Sequence, residues 1–186
     1  MTVSLDVNSR LVLTNSNGTF RERRSITPAL ASISGTKLND LSTISTALDD
    51  IGISVGWGNG IHSNAGVPYS TLALGLENGI ESRGIPARPY LAKSSQIVSR
   101  RLVDDIREVL QNLSLRPTRI TAISMGNALQ PVADKAADET RRIILTRAVN
   151  VPDNAPSTQR RKGSNLPWVD TRELIDALRG TVDINL

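Results

Sequence analysis

The chain has 186 residues, with 22 Lys or Arg against 18 Asp or Glu for a formal charge of +4. Its hydrophobic share of 39% includes only 3% aromatics, which points to one domain with an aliphatic core. With no cysteine and His62 as the one histidine, disulfides, thiolate metal sites, a cysteine nucleophile and a multi-histidine metal centre within one chain are excluded.

The mild basic excess suits an acidic partner. No apolar run approaches the roughly 18 residues that a membrane span needs. MTVSLDVNSR lacks the charged-then-apolar order of a secretory signal, so a soluble cytoplasmic product is the expectation. Residues 1–35 are rich in Ser, Thr and Asn. Leu5, Val7, Leu11 and Leu13 alternate in part, which predicts a short strand or an extended N-terminal arm. NSNG, Asn15–Gly18, signals a turn. FRERRS, Phe20–Ser25, reads as a basic loop patch, so Arg21, Arg23 and Arg24 are candidate contacts to a DNA backbone.

Thr36–Asp50 predicts a helix with Leu38, Leu41, Ile44 and Leu48 on one face. Ile53–Gly58 predicts a strand with Ile53, Val55 and Trp57 sharing a face. Asn59–Ser70 is turn-rich loop, and Thr71–Leu76 fits one or two helical turns stopped at Asn78–Gly79. Then comes GIPARPYL, Gly84–Leu91. Pro86 and Pro89 fix their own φ and push Ile85 and Arg88 toward extended backbone, which predicts a stiff strap. It either docks on a neighbour or packs on its own chain.

Ser94 or Ser95 can cap a helix running to about Leu113, with Val98, Leu102, Ile106, Val109 and Leu113 as its apolar stripe. Residues 117–149 read as mainly helical, with Pro131 as a kink or as the first turn of a second helix. Small alanines there favour close packing in a helical hairpin. Val151–Asn165 is polar, contains Pro and carries Arg160, Arg161 and Lys162. A connection of that length is usually functional, so a flexible interaction loop is expected. Asp170 with Glu173 fits a capping box opening a short helix to Arg179. Gly180 would end that helix, and the last residues alternate as a strand. The sum is an α+β fold: a small, mostly antiparallel sheet on a helical hairpin, with residues 1–35 as an extension and 36–186 as one domain.

Signals for chemistry are weak. GWGNG, Gly56–Gly60, lacks the Lys–Ser/Thr of a phosphate loop and reads as a strand-end turn. His62 is the candidate general base, but no Asp or Glu lies within ten residues of it. Asp104–Asp105 and the group Asp134, Asp138 and Glu139 sit beside Arg and Lys, the pattern of a solvated salt-bridge face. The basic clusters have no interleaved aromatics and no recognition-helix signature, which argues against sequence-specific reading of nucleic acid.

Four segments in order carry a resemblance: Val55, Gly56 and Trp57; Ala73, Glu77 and Gly79; Ile85, Pro86, Arg88, Pro89, Tyr90 and Leu91; and Leu166, Asp170, Thr171 and Leu174. Together they resemble the neck and tail-completion proteins of long-tailed bacteriophages, including the Mu-like virion morphogenesis proteins. Two positions depart from that pattern: no aromatic precedes Gly79, and Arg172 stands where the family prefers Gly. Residues 1–35 have no counterpart.

The resemblance implies a structural, non-enzymatic virion protein without cofactors or metals, assembled in the host cytoplasm. It would form a homo-oligomeric ring of six or twelve subunits at the head–tail junction, between portal or head-closure and tail proteins. Genome DNA would pass through its lumen without sequence-specific binding. The expected interface residues are Ile85, Pro86, Arg88, Pro89, Tyr90, Leu91, Arg160, Arg161, Lys162 and Trp168. The alternatives are a tail terminator capping the tail tube, a basic DNA-binding accessory protein and a hydrolase using His62.

Overall fold

The computed structural model describes residues 2–6, 10–15, 18–19, 51–114, 121–169 and 172–184, the first three stretches as backbone. The helix expected over Thr36–Asp50 and the patch with Arg21, Arg23 and Arg24 lie outside them. The fold is α+β, as the sequence predicts. Five strands form one sheet in the order β3-β2-β1-β4-β5, and every neighbouring pair is antiparallel. They are β1 (Thr2–Asp6), β2 (Arg10–Asn15), β3 (Gly18–Thr19), β4 (Ile51–Gly56) and β5 (Arg179–Ile184).

The N-terminal stretch thus joins the sheet as strands. β1 pairs with β4 through Val3 opposite Val55, and Asn15 stands opposite Gly18 where NSNG signals a turn. β4 begins two residues earlier than the alternation suggests. Ile51, Ile53 and Val55 are buried on the core face, while Trp57 lies just past the strand and is half-buried.

Five helices are described: α1 (Tyr69–Asn78), α2 (Tyr90–Ser114), α3 (Ala122–Thr146), α4 (Pro156–Lys162) and α5 (Glu173–Asp176). The stop of α1 is as predicted: Gly79 takes φ 78°, open to glycine at no steric cost. α2 starts four residues before Ser94. Its first amides are capped by the Glu77 carboxylate of α1, which accepts Leu91 N–H at 3.0 Å and Ala92 N–H at 2.9 Å. The Ser94 and Ser95 hydroxyls instead donate back to the carbonyls of Leu91 and Ala92.

α3 is one continuous helix. Thr121 and Ser124 form a reciprocal capping box at its start. Pro131 lies within it on the exposed side, where water can take the carbonyl that loses its amide partner. α2 and α3 form the expected hairpin. Val98, Leu102, Leu110 and Leu113 of α2 and Met125, Leu129, Ala133, Ala136, Ile143 and Ile144 of α3 are all at most 3% exposed. Ion pairs run along its solvated side, with Lys135 on Asp105 at 2.7 Å and Arg101 and Arg142 on Glu139.

α3 also lies across the sheet, and two glycines set how closely. Gly126 meets Ile184, and Gly180 meets the α3 backbone at Ala133. Gly180 therefore does not end a helix. It is a strand residue opposite Val55, and the preceding helix stops at Asp176, not Arg179.

Candidate functional site

The strap folds back on α1. Ile80 and Ile85 exchange backbone hydrogen bonds of 2.8 and 3.1 Å across the short 3-10 turn Glu81–Arg83, and Arg88 N–H donates to Leu76 O at 3.0 Å. Gly79 sits beneath it, where a Cβ would stand 2.8 Å from Ile85 O. The strap then enters α2 at Tyr90.

Its side chains turn inward. Arg88 is 6% exposed, Tyr90 0% and Leu91 2%. The Arg88 guanidinium spans two consecutive carbonyls, with Nε donating to Pro152 O at 3.0 Å and Nη2 to Asp153 O at 2.9 Å. The planar fork of Arg suits this pair, which Lys could not reproduce. Burial lowers its pKa, while nearby Tyr90 and Asp153 act in the opposite sense.

The segment that receives Arg88 is ordered too. Residues 151–165 contain α4, and Val151 and Asn154 are buried. This corrects the expectation of a flexible loop: α4 begins with Pro156 at its first turn and ends at Gly163 in the left-handed conformation. Beyond it, Trp168 is 4% exposed. Its ring lies 6.1 Å from Trp57 and 5.7 Å, edge-on, from Tyr90. Trp57 Nε1–H donates to Leu174 O.

Arg88, Tyr90, Leu91 and Trp168 are thus committed to the interior of this chain, which corrects the expectation that they meet a neighbour. The strap takes the internal of its two readings because burying the aromatics and satisfying two carbonyls occurs within one subunit. Of the other expected interface residues, Pro86, Arg160 and Arg161 are exposed. Ile85, Pro89 and Lys162 are half-buried, Lys162 donating to Val169 O at 2.9 Å.

Glu77 sits between α1 and the strap. Burial pushes its pKa up, and the amides of Ala92, Leu91 and Tyr90 pull it partly back. Tyr90 is likewise pushed up by burial, against the opposing charge of Arg147. Arg147 itself is paired with the Asp153 carboxylate.

A second polar cluster joins the 59–68 loop to α5. Glu173 accepts Ser63 N–H at 2.8 Å, Tyr69 Oη at 2.7 Å and the Ser63 hydroxyl. These bonds, Ser63 first, hold its pKa down at about 2. His62 is 6% exposed and its Nδ1 lies 3.9 Å from Glu173 Oε2. The same nitrogen accepts Ala65 N–H at 3.3 Å, so in the neutral ring the proton sits on Nε2. The carboxylate that His62 lacks among its sequence neighbours therefore comes from 111 positions away, and it already holds three other donors.

Sequence reasoning missed Glu77 as a helix cap and Glu173 as the holder of this loop. Glu77, near the end of one short helix, and Glu173, at the start of another, gave no local sign of these roles. The expected capping box at Asp170 falls outside the described residues. Arg172, at the N-terminus of α5, makes no side-chain cap and takes φ 67°, a conformation that favours glycine. That is the position where the resembled family prefers Gly. Among the described residues no group of His, Asp and Glu could hold a metal ion, and no helix is long and apolar enough to cross a membrane. No family model, curated protein or solved structure matches the chain.

Proposed function

We propose that this chain is a structural protein of a tailed-phage virion. It is the subunit of a homo-oligomeric ring at the head–tail junction, a neck or tail-completion protein through which the genome passes. One observation carries the reading. The segments on which the resemblance rests are scattered between Val55 and Leu174, yet they meet around one aromatic cluster. Trp57 from the strand segment touches Trp168 and bonds Leu174 O, and Tyr90 of the strap abuts Trp168. Glu77 holds the amides of Leu91 and Ala92. The four segments thus pack as one unit, which supports reading them together as a single motif.

The unit's work is mechanical: a rigid strap and hairpin fix the shape of the subunit, and closure of the ring makes a channel. No turnover and no cofactor are needed. With Arg88, Tyr90, Leu91 and Trp168 inside, contacts between subunits fall to Pro86 and to Arg160 and Arg161 at the end of α4. Arginines there can pair bidentately with a neighbour's carboxylates. DNA in the lumen would be met through charge alone.

The test is the assembly state. Light scattering with negative-stain imaging of the purified chain, alone and with virion proteins, should show closed rings, and Arg160→Glu with Arg161→Glu should weaken them. A chain that stays monomeric at all concentrations and is missing from particles would sink the reading. Retention of DNA by that monomer, lost as salt rises, would favour the DNA-binding accessory protein.

A further inference from the structure

His62, the one histidine of the chain, is 6% exposed, and the proposed assembly gives it no role. The loop that carries it is closed at its base. His62 N–H donates to Val67 O at 2.9 Å, Tyr69 N–H donates to Gly60 O at 3.1 Å, and Ile61 bridges Pro68. Its tip, Ser63–Ala65, is exposed and is held by two side chains. The Glu173 carboxylate of α5 accepts the Ser63 amide and hydroxyl, and His62 Nδ1 accepts Ala65 N–H at 3.3 Å.

An imidazole nitrogen that accepts a hydrogen bond cannot also carry a proton. Protonated at Nδ1, His62 turns a donor toward the Ala65 amide, and that contact becomes unfavourable. An acceptor is already at hand. Glu173 Oε2 lies 3.9 Å from Nδ1, about 1 Å beyond the length of a charge-assisted hydrogen bond. Among the described residues two titratable groups face the imidazole: Glu173 from α5, and Tyr69 from α1, its ring edge-on at 6.0 Å. Glu173, with its pKa at about 2, is ionised wherever an imidazole titrates. Tyr69 donates to the same carboxylate, which raises its pKa above the ordinary 10.0 and keeps it neutral there. Protonation of His62 therefore sets one cation beside one anion and leaves one loop amide without its acceptor.

We propose that His62 and Glu173 form a proton-driven latch on the 59–68 loop. With the imidazole neutral, Nδ1 pins the tip at Ala65. With it protonated, the Nδ1–H bond goes to Glu173, which tightens the base of the loop against α5 and frees the tip. Ile61, 63% exposed, stays on the closed base. The latch does not depend on the assembly reading.

NMR of the purified chain across the imidazole range, about pH 8 to 5, tests it. Because there is one histidine, its Cε1 proton reports the charge without overlap. The ring nitrogens should show the Nε2–H tautomer at the high end. The Ala65 amide shift should follow the same midpoint. Its exchange protection should fall about threefold or more as His62 charges, the worth of one modest hydrogen bond. The amides of Ile143 and Ile144 should keep theirs. Glu173→Gln should lower the His62 midpoint by about half a unit or more, because the cation loses its partner. His62→Asn can still accept from Ala65 but does not titrate, so Ala65 should stay protected throughout. An Ala65 amide indifferent to the titration, an Nδ1–H tautomer, or a midpoint unmoved or raised in Glu173→Gln would each overturn the latch. So would protection lost equally at Ile143, or a pH dependence at Ala65 that survives in His62→Asn.

Discussion

Gly180 and Ala133 touch backbone to backbone: a Cβ on Gly180 would stand 1.8 Å from the Ala133 carbonyl oxygen and 2.2 Å from its carbon. Neither atom is the end of a flexible side chain, so β5 and α3 would have to separate. Gly180→Ala is expected to destabilise the fold by about 3 kcal/mol or more, at the upper end of overpacking costs. Chemical denaturation followed by tryptophan emission measures it. A variant within about 0.5 kcal/mol of wild type, the range of ordinary surface changes, would contradict this contact.

Glu77 holds two amides at the start of α2 from a buried position. Glu77→Ala leaves both donors unpaired and should cost about 1–3 kcal/mol. Glu77→Gln keeps an acceptor without burying a charge and should recover more than half of that at neutral pH. Burial raises the carboxyl's folded pKa above its ordinary 4.5. Its contribution is therefore fully present below 4.5 and is lost as pH rises through the folded value. The Gln variant should gain on wild type as pH climbs from 4.5 toward 7, read from urea midpoints.

Glu173 behaves in the opposite sense. Its folded pKa, about 2, lies below the ordinary 4.5. Its stabilisation is present above 4.5 and is lost as pH falls toward 2. Glu173→Gln should lower the urea midpoint at pH 7 and flatten the pH dependence between those two values. It should also loosen the 59–68 loop, visible as faster backbone exchange at Ser63.

Arg88→Ala should cost about 2–4 kcal/mol, because two carbonyls lose a charged donor inside the fold. Arg88→Lys should restore less than half of that. Limited proteolysis should cut within residues 154–169 of either variant sooner than in wild type. Equal resistance would show that Arg88 does not anchor the segment that begins at Pro152 and Asp153.

Arg172→Gly removes the cost of a side chain at φ 67° and adds freedom to the unfolded chain. The difference should leave the variant more stable by roughly 0.5–1 kcal/mol. A loss of stability would mean that the Arg172 side chain makes a favourable contact that outweighs its strain.

The helical hairpin was legible because its signal is local: the stripe from Val98 to Leu113 and the alanines after Pro131 state which faces are apolar. The stiffness of the strap was legible for the same reason, since Pro86 and Pro89 fix their own backbone. What the strap touches was not, because the carbonyls of Pro152 and Asp153 lie more than 60 positions away. In the sequence Gly180 reads as a helix stop, because glycine does stop helices. Only Ala133, brought alongside by the fold, shows that it is a point of close approach. Glu173 looked like half of a capping box, while its actual donors, Ser63 and Tyr69, come from over 100 positions upstream.

The reach of Glu77 bears on the order in which the molecule forms. It ties α1 to α2 across 14 positions, a small loop to close, whereas Ser54 and Asp183 join β4 to β5 across 129. The α1–strap–α2 corner is thus the low-contact-order kernel, and the β4–β5 edge is its late partner. Substitutions at Glu77 should slow refolding, and those at Ser54 should chiefly hasten unfolding. The reverse pattern in stopped-flow traces would show that the sheet nucleates first.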